Sequence, residues 1–203
     1  MKQKEITKMT ITAVFIALLL VQTFVPNIGY VRILPTLPAI TTIPLTIAVY
    51  ASLMGPKLGA VLGLVWGLTR LIVAYTQPGD MVSLLLFQNP LVSLVPSILA
   101  GWFAGLISKY FIQKDNKVRR LGYTFSGAVT SLTNTIMVIT IASLCFMNNP
   151  ASLTTYLGHF SQGTPLFLIL MMTLGINGLV EAIFTAVMVP LIVTPLNYVI
   201  KRA

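Results

Sequence analysis

The sequence predicts an all-α, polytopic membrane protein: a compact bundle of six transmembrane helices with both termini in the cytoplasm. The first reason is composition, because apolar residues make up 56% of the 203-residue chain and charged residues only 8%, against roughly 25% in soluble domains. The second reason is the length of the uncharged stretches. Residues 33–56, 81–108 and 121–158 contain no Asp, Glu, Lys or Arg, and a spanning helix needs about 20 residues. A soluble globular fold is therefore excluded.

The six helices are expected to form a single domain over residues 1–203. Their expected ranges are about 9–25, 38–54, 57–76, 88–110, 121–147 and 165–195. The second helix is expected to be broken or kinked near Pro44, and Gly55-Pro56 makes the turn into the third helix. Gln77–Asp80 then begins an outer loop ahead of the fourth helix.

The second half of the chain follows a polar cytoplasmic linker at 111–120, which divides the bundle into two three-helix halves. Pro165 opens the sixth helix, at the position where its missing N–H costs least. Pro190 and Pro195 are expected to end or bend that helix. The two halves are still one domain, because the linker is short.

The net charge of +9 follows the predicted topology. Of the 13 basic residues, all but Arg32 and Arg70 fall on segments that a cytoplasmic N-terminus and six spans place inside. Short cytoplasmic segments of membrane proteins carry this excess of Lys and Arg. The charge therefore indicates orientation in the membrane, not affinity for nucleic acid.

Small residues at four-residue spacing mark two helix faces, where close backbone approach in lipid is expected. Gly59, Gly63 and Gly67 lie on one face of the third helix, which we interpret as internal packing. Ala13 and Ala17 lie on one face of the first helix. Composition alone favours internal packing there too, and a surface for an external partner is the alternative.

Arg70 is a charge at bilayer depth, where charged side chains are costly and usually face a partner, a cavity or a substrate. It lies 13 residues beyond Lys57, about 20 Å along a helix, and Asn134, 13 residues beyond Leu121, reaches a similar depth. Trp66 shares the face of Arg70 at i,i+4. These side chains predict one wall of an outward-facing pocket, in which the guanidinium receives a carboxylate or phosphate and the indole covers apolar substrate. The alternative is that Arg70 snorkels to the outer headgroups.

Further candidate substrate-binding residues lie on the last helix and near the second outer loop. Asn177 and Glu181 are again spaced i,i+4, and Glu181 could pair with Arg70, remain protonated in a desolvated site or bind a polar group of the substrate. Tyr75, Gln88 and Asn89 lie where a gate over an external pocket would be. Each is also a common capping or solvated residue.

Catalytic and metal-binding patterns are missing from the sequence. His159 is the only histidine, so no His-based metal cluster can form. The glycines at 55–59 lack the spacing of a phosphate-binding Walker loop. We therefore expect no catalytic residues, no metal and no cofactor, and any energy from ATP must come from other subunits.

The chain resembles the S components of energy-coupling factor vitamin transporters, their substrate-binding subunits, over essentially its whole length. The six spans, the small-residue motif Ala13–Ala17 and the turn Gly55–Ala60 carry the resemblance. Within that family the chain is most similar to pantothenate-specific members. The segments that carry this closer similarity are 63–68, 89–93 with Pro96, and 131–135.

The resemblance implies capture of a vitamin from outside, followed by docking on a transmembrane T component and two cytoplasmic ATPases, with the S component tipping in the membrane. Ala13 and Ala17 match the docking motif of the family. Pantothenate would place its carboxylate on Arg70, its hydroxyls and amide near Asn134 and Asn177, and its dimethyl group on Trp66. Alternatives are S components for riboflavin, folate or hydroxymethylpyrimidine, and a stand-alone secondary transporter.

Overall fold

Seven helices and one small sheet make up the part of the chain that the structure describes, a computed structural model covering residues 3–25, 28–31, 40–76, 81–147 and 164–202. The helices are α1 (Gln3–Phe24), α2 (Ile43–Met54), α3 (Pro56–Thr76), α4 (Met81–Phe87), α5 (Pro90–Phe111), α6 (Asn116–Cys145) and α7 (Leu166–Arg202). Two short strands, β1 (Tyr30–Val31) and β2 (Ile40–Thr41), pair antiparallel between α1 and α2. The predicted outer-loop positions Arg32, Gln77–Asp80 and His159 lie outside the described residues.

Five of the described helices, α1, α3, α5, α6 and α7, are long and apolar enough to cross a membrane. This makes the chain a multi-pass membrane protein, as predicted from composition. The second helix is shorter than expected, since α2 has 12 residues and measures about 18 Å. It begins at Ile43, not at residue 38, because β2 occupies Ile40–Thr41 and Pro44 takes the first helical turn, where no N–H is needed.

The last helix is longer than expected, because α7 continues through Pro190 and Pro195 to Arg202. Proline is tolerated inside membrane helices when other groups bond the carbonyls that it leaves without partners. Pro190 and Pro195 leave the carbonyls of Ala186 and Leu191, four residues earlier, without an N–H donor. The Thr194 hydroxyl donates at 2.6 Å to another carbonyl of this stretch, that of Pro190, a bond that often bends a helix. The predicted linker 111–120 is reduced to a turn between the end of α5 and Asn116, the first residue of α6.

Glycines set the distance between α3 and α5. A Cβ built on Gly59 would lie 2.4 Å from the carbonyl oxygen of Gly101, and one built on Gly63 would lie 2.2 Å from that of Ser97. Gly67 is buried against the same helix. The interpretation of these three glycines as internal packing is confirmed, and the two backbones meet more closely than any side chain would allow.

Buried hydroxyl groups link the remaining helices. Ser52 on α2 bonds Ser108 on α5 at 2.7 Å and Ser126 on α6 at 3.1 Å. Ser131 on α6 bonds Thr185 on α7 at 3.0 Å. In lipid such bonds between helices add to van der Waals packing. They fix α6 and α7 relative to α2 and α5.

Helix α1 lies at the edge of the bundle. Leu19 is buried against α2 and α3, and Thr12 bonds the Tyr50 hydroxyl at 2.8 Å. Ala13 and Ala17 lie on the exposed side of the helix. The internal-packing interpretation of this alanine pair therefore does not hold within the described chain.

Gly63→Ala is expected to destabilise the protein, because the added methyl would collide with the α5 backbone at Ser97. The expected loss is about 1–3 kcal/mol, typical of overpacking a close-packed contact. Thermal unfolding of the purified protein in detergent measures it. Gly175→Ala is the control, since its nearest atom would be a Met171 side-chain carbon at 3.8 Å; equal losses in both variants would contradict the close approach.

Candidate functional site

The guanidinium of Arg70 is held between two aromatic rings. Its Cζ atom lies 4.3 Å from the ring centroid of Trp66 on α3 and 4.2 Å from that of Phe87 on α4. Cations at such distances are attracted by the ring faces, most strongly when water is excluded. Trp66 is only 1% exposed. The Arg70 side chain therefore points into the bundle, which favours the buried site over the snorkelling alternative.

Asn134 on α6 meets the same guanidinium. Its Oδ1 accepts a hydrogen bond from Arg70 Nη1 at 3.4 Å, and its side chain is 7% exposed. The equal depth predicted for the two residues from their positions on separate helices is confirmed. A guanidinium carries five N–H groups, so Arg70 can donate to more than one partner at once.

Glu181 lies deep in α7 and is 4% exposed. Its Oε1 accepts hydrogen bonds from the backbone N–H of Thr41 at 2.8 Å and from Asn177 Nδ2 at 3.4 Å. The positive charge of Arg70 also acts on this carboxylate, and such attraction is strong where water is scarce. We call Arg70, Asn134, Asn177 and Glu181 the polar centre. Glu181 also connects β2 to α7 through its bond to Thr41.

The C-terminal end of α1 is joined to the start of α2 by Gln22, which the sequence did not single out. Gln22 Nε2 donates to Thr42 Oγ1 at 3.0 Å, and its Oε1 accepts from the Thr46 hydroxyl at 2.8 Å. The Thr42 N–H in turn bonds the Gly29 carbonyl at 2.8 Å. The described residues at the start of α2, Thr41 and Thr42, are thus anchored by Glu181 and Gln22.

Tyr75, Gln88 and Asn89 lie together at the junction of α3, α4 and α5. The Tyr75 hydroxyl donates to the Gln88 carbonyl at 3.2 Å, and Gln88 Nε2 donates to the Ala74 carbonyl at 3.1 Å. Asn89 caps α5, because its Oδ1 accepts a first-turn backbone N–H at 3.0 Å. These contacts hold α4, and with it Phe87, against the end of α3.

The sequence missed Phe87 and Thr41 as well as Gln22. Phe87 belongs to a seven-residue helix, too short for a periodic pattern. Thr41 acts through its backbone N–H, which every residue except proline has. Only the position of Phe87, directly before the suspected gate residues Gln88 and Asn89, offered a signal.

The polar centre contains the guanidinium of Arg70 between two aromatic rings, the side-chain amides of Asn134 and Asn177, and the buried carboxyl group of Glu181. Such a set suits a small anion that also carries hydrogen-bonding groups and an apolar part. Within the described residues, no group of three His, Cys, Asp or Glu side chains is placed to hold a metal ion. The chemistry available is recognition by charge, hydrogen bonds and apolar contact.

The fold and the polar centre define a multi-pass membrane protein that keeps charged side chains inside a helix bundle, an arrangement frequent in transport proteins. Residues 7–193 match the family described as the substrate-specific component of ECF transporters, and the chain belongs to this family. It is 34% identical over 149 residues to the pantothenate transporter PanT of Leuconostoc mesenteroides subsp. mesenteroides, over 72% of each chain. It is 29% identical over 159 residues to the pantothenic acid transporter PanT of Lactococcus lactis subsp. cremoris, over 72% of this chain and 77% of the relative.

Removing the carboxyl group in Glu181→Ala is expected to release β2, because the Thr41 N–H loses its acceptor. Opening of this segment should become easier by about 1.5–3 kcal/mol, the usual contribution of a bond to a charged group. Hydrogen–deuterium exchange of the peptide that contains Thr41 measures it. Glu181→Gln keeps an acceptor and is the matched control, and unchanged exchange in the alanine variant would show that the bond does not hold the strand.

Proposed function

We propose that this chain captures pantothenate from outside the cell and presents it to an ATP-driven energising module. The observation that carries the proposal is the Arg70 guanidinium, held between Trp66 and Phe87 and bonded to Asn134, in a chain whose relatives include pantothenate transporters. A buried cation of this kind is matched by a carboxylate of a small ligand.

The groups of pantothenate correspond to the groups of the polar centre. The carboxylate bonds Arg70, and the amide and hydroxyls bond Asn134, Asn177 and Glu181. The dimethyl group packs on Trp66, and Phe87 covers the other side of the guanidinium. The gate over the site is formed beside α4 by Tyr75, Gln88 and Asn89. Their hydrogen bonds hold α4 against the end of α3.

We place six crossings in the bacterial cell membrane, with both termini cytoplasmic. Helix α2 completes the second crossing together with the strands β1 and β2, because nine residues of the helix are buried within the bundle. Backbone that is not helical is tolerated at membrane depth when protein surrounds it. The positions of the basic residues support this orientation.

The partner surface is the exposed side of α1. Ala13 and Ala17 form a shallow groove on this side, flanked by the exposed side chains of Val14 and Leu18. Such small residues let a helix of another subunit approach closely. The T component docks here, and two cytoplasmic ATPases bound to it hydrolyse ATP. The chain itself carries out binding and no catalysis.

The purified protein alone is expected to bind about one pantothenate per chain, and Arg70→Ala to weaken binding by about 1.5–3 kcal/mol, because a charge-assisted contact is lost. Isothermal titration calorimetry measures both. Lys109→Ala, which removes an exposed cation at the other end of the bundle, is the control. Unchanged affinity in Arg70→Ala would remove this residue from the site, and stabilisation by riboflavin, folate or hydroxymethylpyrimidine but not by pantothenate in a thermal-shift panel would identify a different vitamin.

Ala13→Trp is expected to abolish ATP-dependent uptake while vitamin binding stays intact, because the indole blocks close approach of the T component. Uptake into vesicles containing the complete transporter and binding to the isolated chain are compared. Val187→Trp places the same bulk on an exposed position of α7 and should leave uptake unchanged. Normal uptake by Ala13→Trp would move the docking surface elsewhere.

A further inference from the structure

A polar cleft of about 70 Å³ lies between the first turns of α6 and the last turns of α7. We call it the basic cleft, and its lining includes Asn116, Arg119, Arg120, Tyr123, Asn197 and Tyr198. It is separated from the polar centre, because Asn134 lies 18 residues beyond Asn116 on α6, about 27 Å along the helix. Neither the vitamin site nor the docking surface uses it.

Two guanidiniums give the basic cleft its charge. Arg119 is held in place by Asn116, whose Oδ1 accepts from Arg119 Nη2. Within the described chain, neither Arg119 nor Arg120 forms an ion pair with a carboxylate. The nearest acid in sequence, Asp115, does not line the cleft, and its side chain does not cap α6. The amide dipoles at the start of α6 add further positive potential.

The floor of the cleft offers a neutral donor. Tyr123 is 2% exposed, and its hydroxyl accepts from Asn197 Nδ2 at 2.7 Å. A hydroxyl that accepts one hydrogen bond can still donate its own hydrogen. The phenol is therefore fixed between α6 and α7 with a donor close to the charge of Arg119. This is a suitable arrangement for an oxyanion.

The lining of the cleft also includes one exposed aromatic ring. Tyr198 on α7 lines the cleft and is 56% exposed. Tyrosine is frequent at membrane–water boundaries, where its ring is apolar and its hydroxyl is hydrated. A ligand in the cleft would therefore meet two guanidiniums beside an amphipathic ring, a combination that suits the headgroup of a phospholipid at the membrane boundary.

We propose that the basic cleft binds the phosphate of an anionic phospholipid. Arg119 and Arg120 receive the phosphate oxygens, Tyr123 donates to one of them, and the exposed ring of Tyr198 lies beside the headgroup. Basic pockets between membrane helices recognise such headgroups through the same chemistry. This site is independent of the vitamin and would hold the joint between α6 and α7 at the membrane boundary.

The test is native mass spectrometry of the purified full-length protein with dioleoylphosphatidylglycerol, compared with dioleoylphosphatidylcholine. Retention of the anionic lipid is expected to fall about tenfold or more in the Arg119→Gln, Arg120→Gln variant, because both phosphate contacts are lost. Lys114→Gln, Lys117→Gln is the matched control, since it removes two charges from exposed positions that do not line the cleft. It should retain the lipid within about twofold of the unmodified protein, as expected for charges outside the contact.

Four results would overturn the proposal: unchanged lipid retention in the Arg119→Gln, Arg120→Gln variant, equal loss in both double variants, equal retention of the two lipids by the unmodified protein, or displacement of the lipid by millimolar inorganic phosphate, which would indicate a site for the free anion. Unchanged lipid retention in Arg119→Gln, Arg120→Gln together with loss of assembly with the energising module would assign the cleft to a protein contact instead. The single variant Arg120→Gln, which changes an exposed side chain, gives the same comparison if the double variant does not fold.

Discussion

The positive charge of Arg70 inside an apolar bundle is the constraint on which the site depends. A guanidinium removed from water needs groups that offset its lost hydration. Here these are the ring faces of Trp66 and Phe87, the amide oxygen of Asn134 and the nearby charge of Glu181. They come from four helices, so the packing of the whole bundle determines whether the charge is stabilised. The carboxylate of the proposed substrate would offset the same charge.

The close packing of α3 against α5 places that charge. Gly67 faces α5, while Trp66 and Arg70 lie about 60–100° away round the same helix. One face of α3 is therefore committed to backbone contact and the adjacent face to the polar centre. The short helix α4 lies between α3 and α5 in the chain, and its Phe87 can reach the guanidinium because Tyr75 and Gln88 hold it there. Packing and recognition are thus coupled through a single helix.

Local spacing predicted the contacts made within one helix and not those between distant segments. Trp66 with Arg70 and Asn177 with Glu181 are i,i+4 pairs, and both are in contact. The depth of Asn134 followed from counting helical rises from the membrane boundary. The partner of Glu181 is a backbone N–H 140 residues away in sequence, for which no side-chain pattern exists. The structure also begins α6 at Asn116 and continues α7 through Pro190 and Pro195, and the sequence pattern predicted neither.

The sequence by itself determined that this protein lies in a membrane and approximately where its spans are, because the free energy of transfer into lipid depends on local composition. It also determined that a charge lies at membrane depth, because depth follows from the helical rise per residue. It also indicated the family through short motifs. Only the tertiary structure decided that Arg70 lies between two rings, that Glu181 anchors the segment before α2, and that Arg119 and Tyr123 share a cleft with α7. These are contacts between residues far apart in the chain, and their geometry is set by how the helices pack.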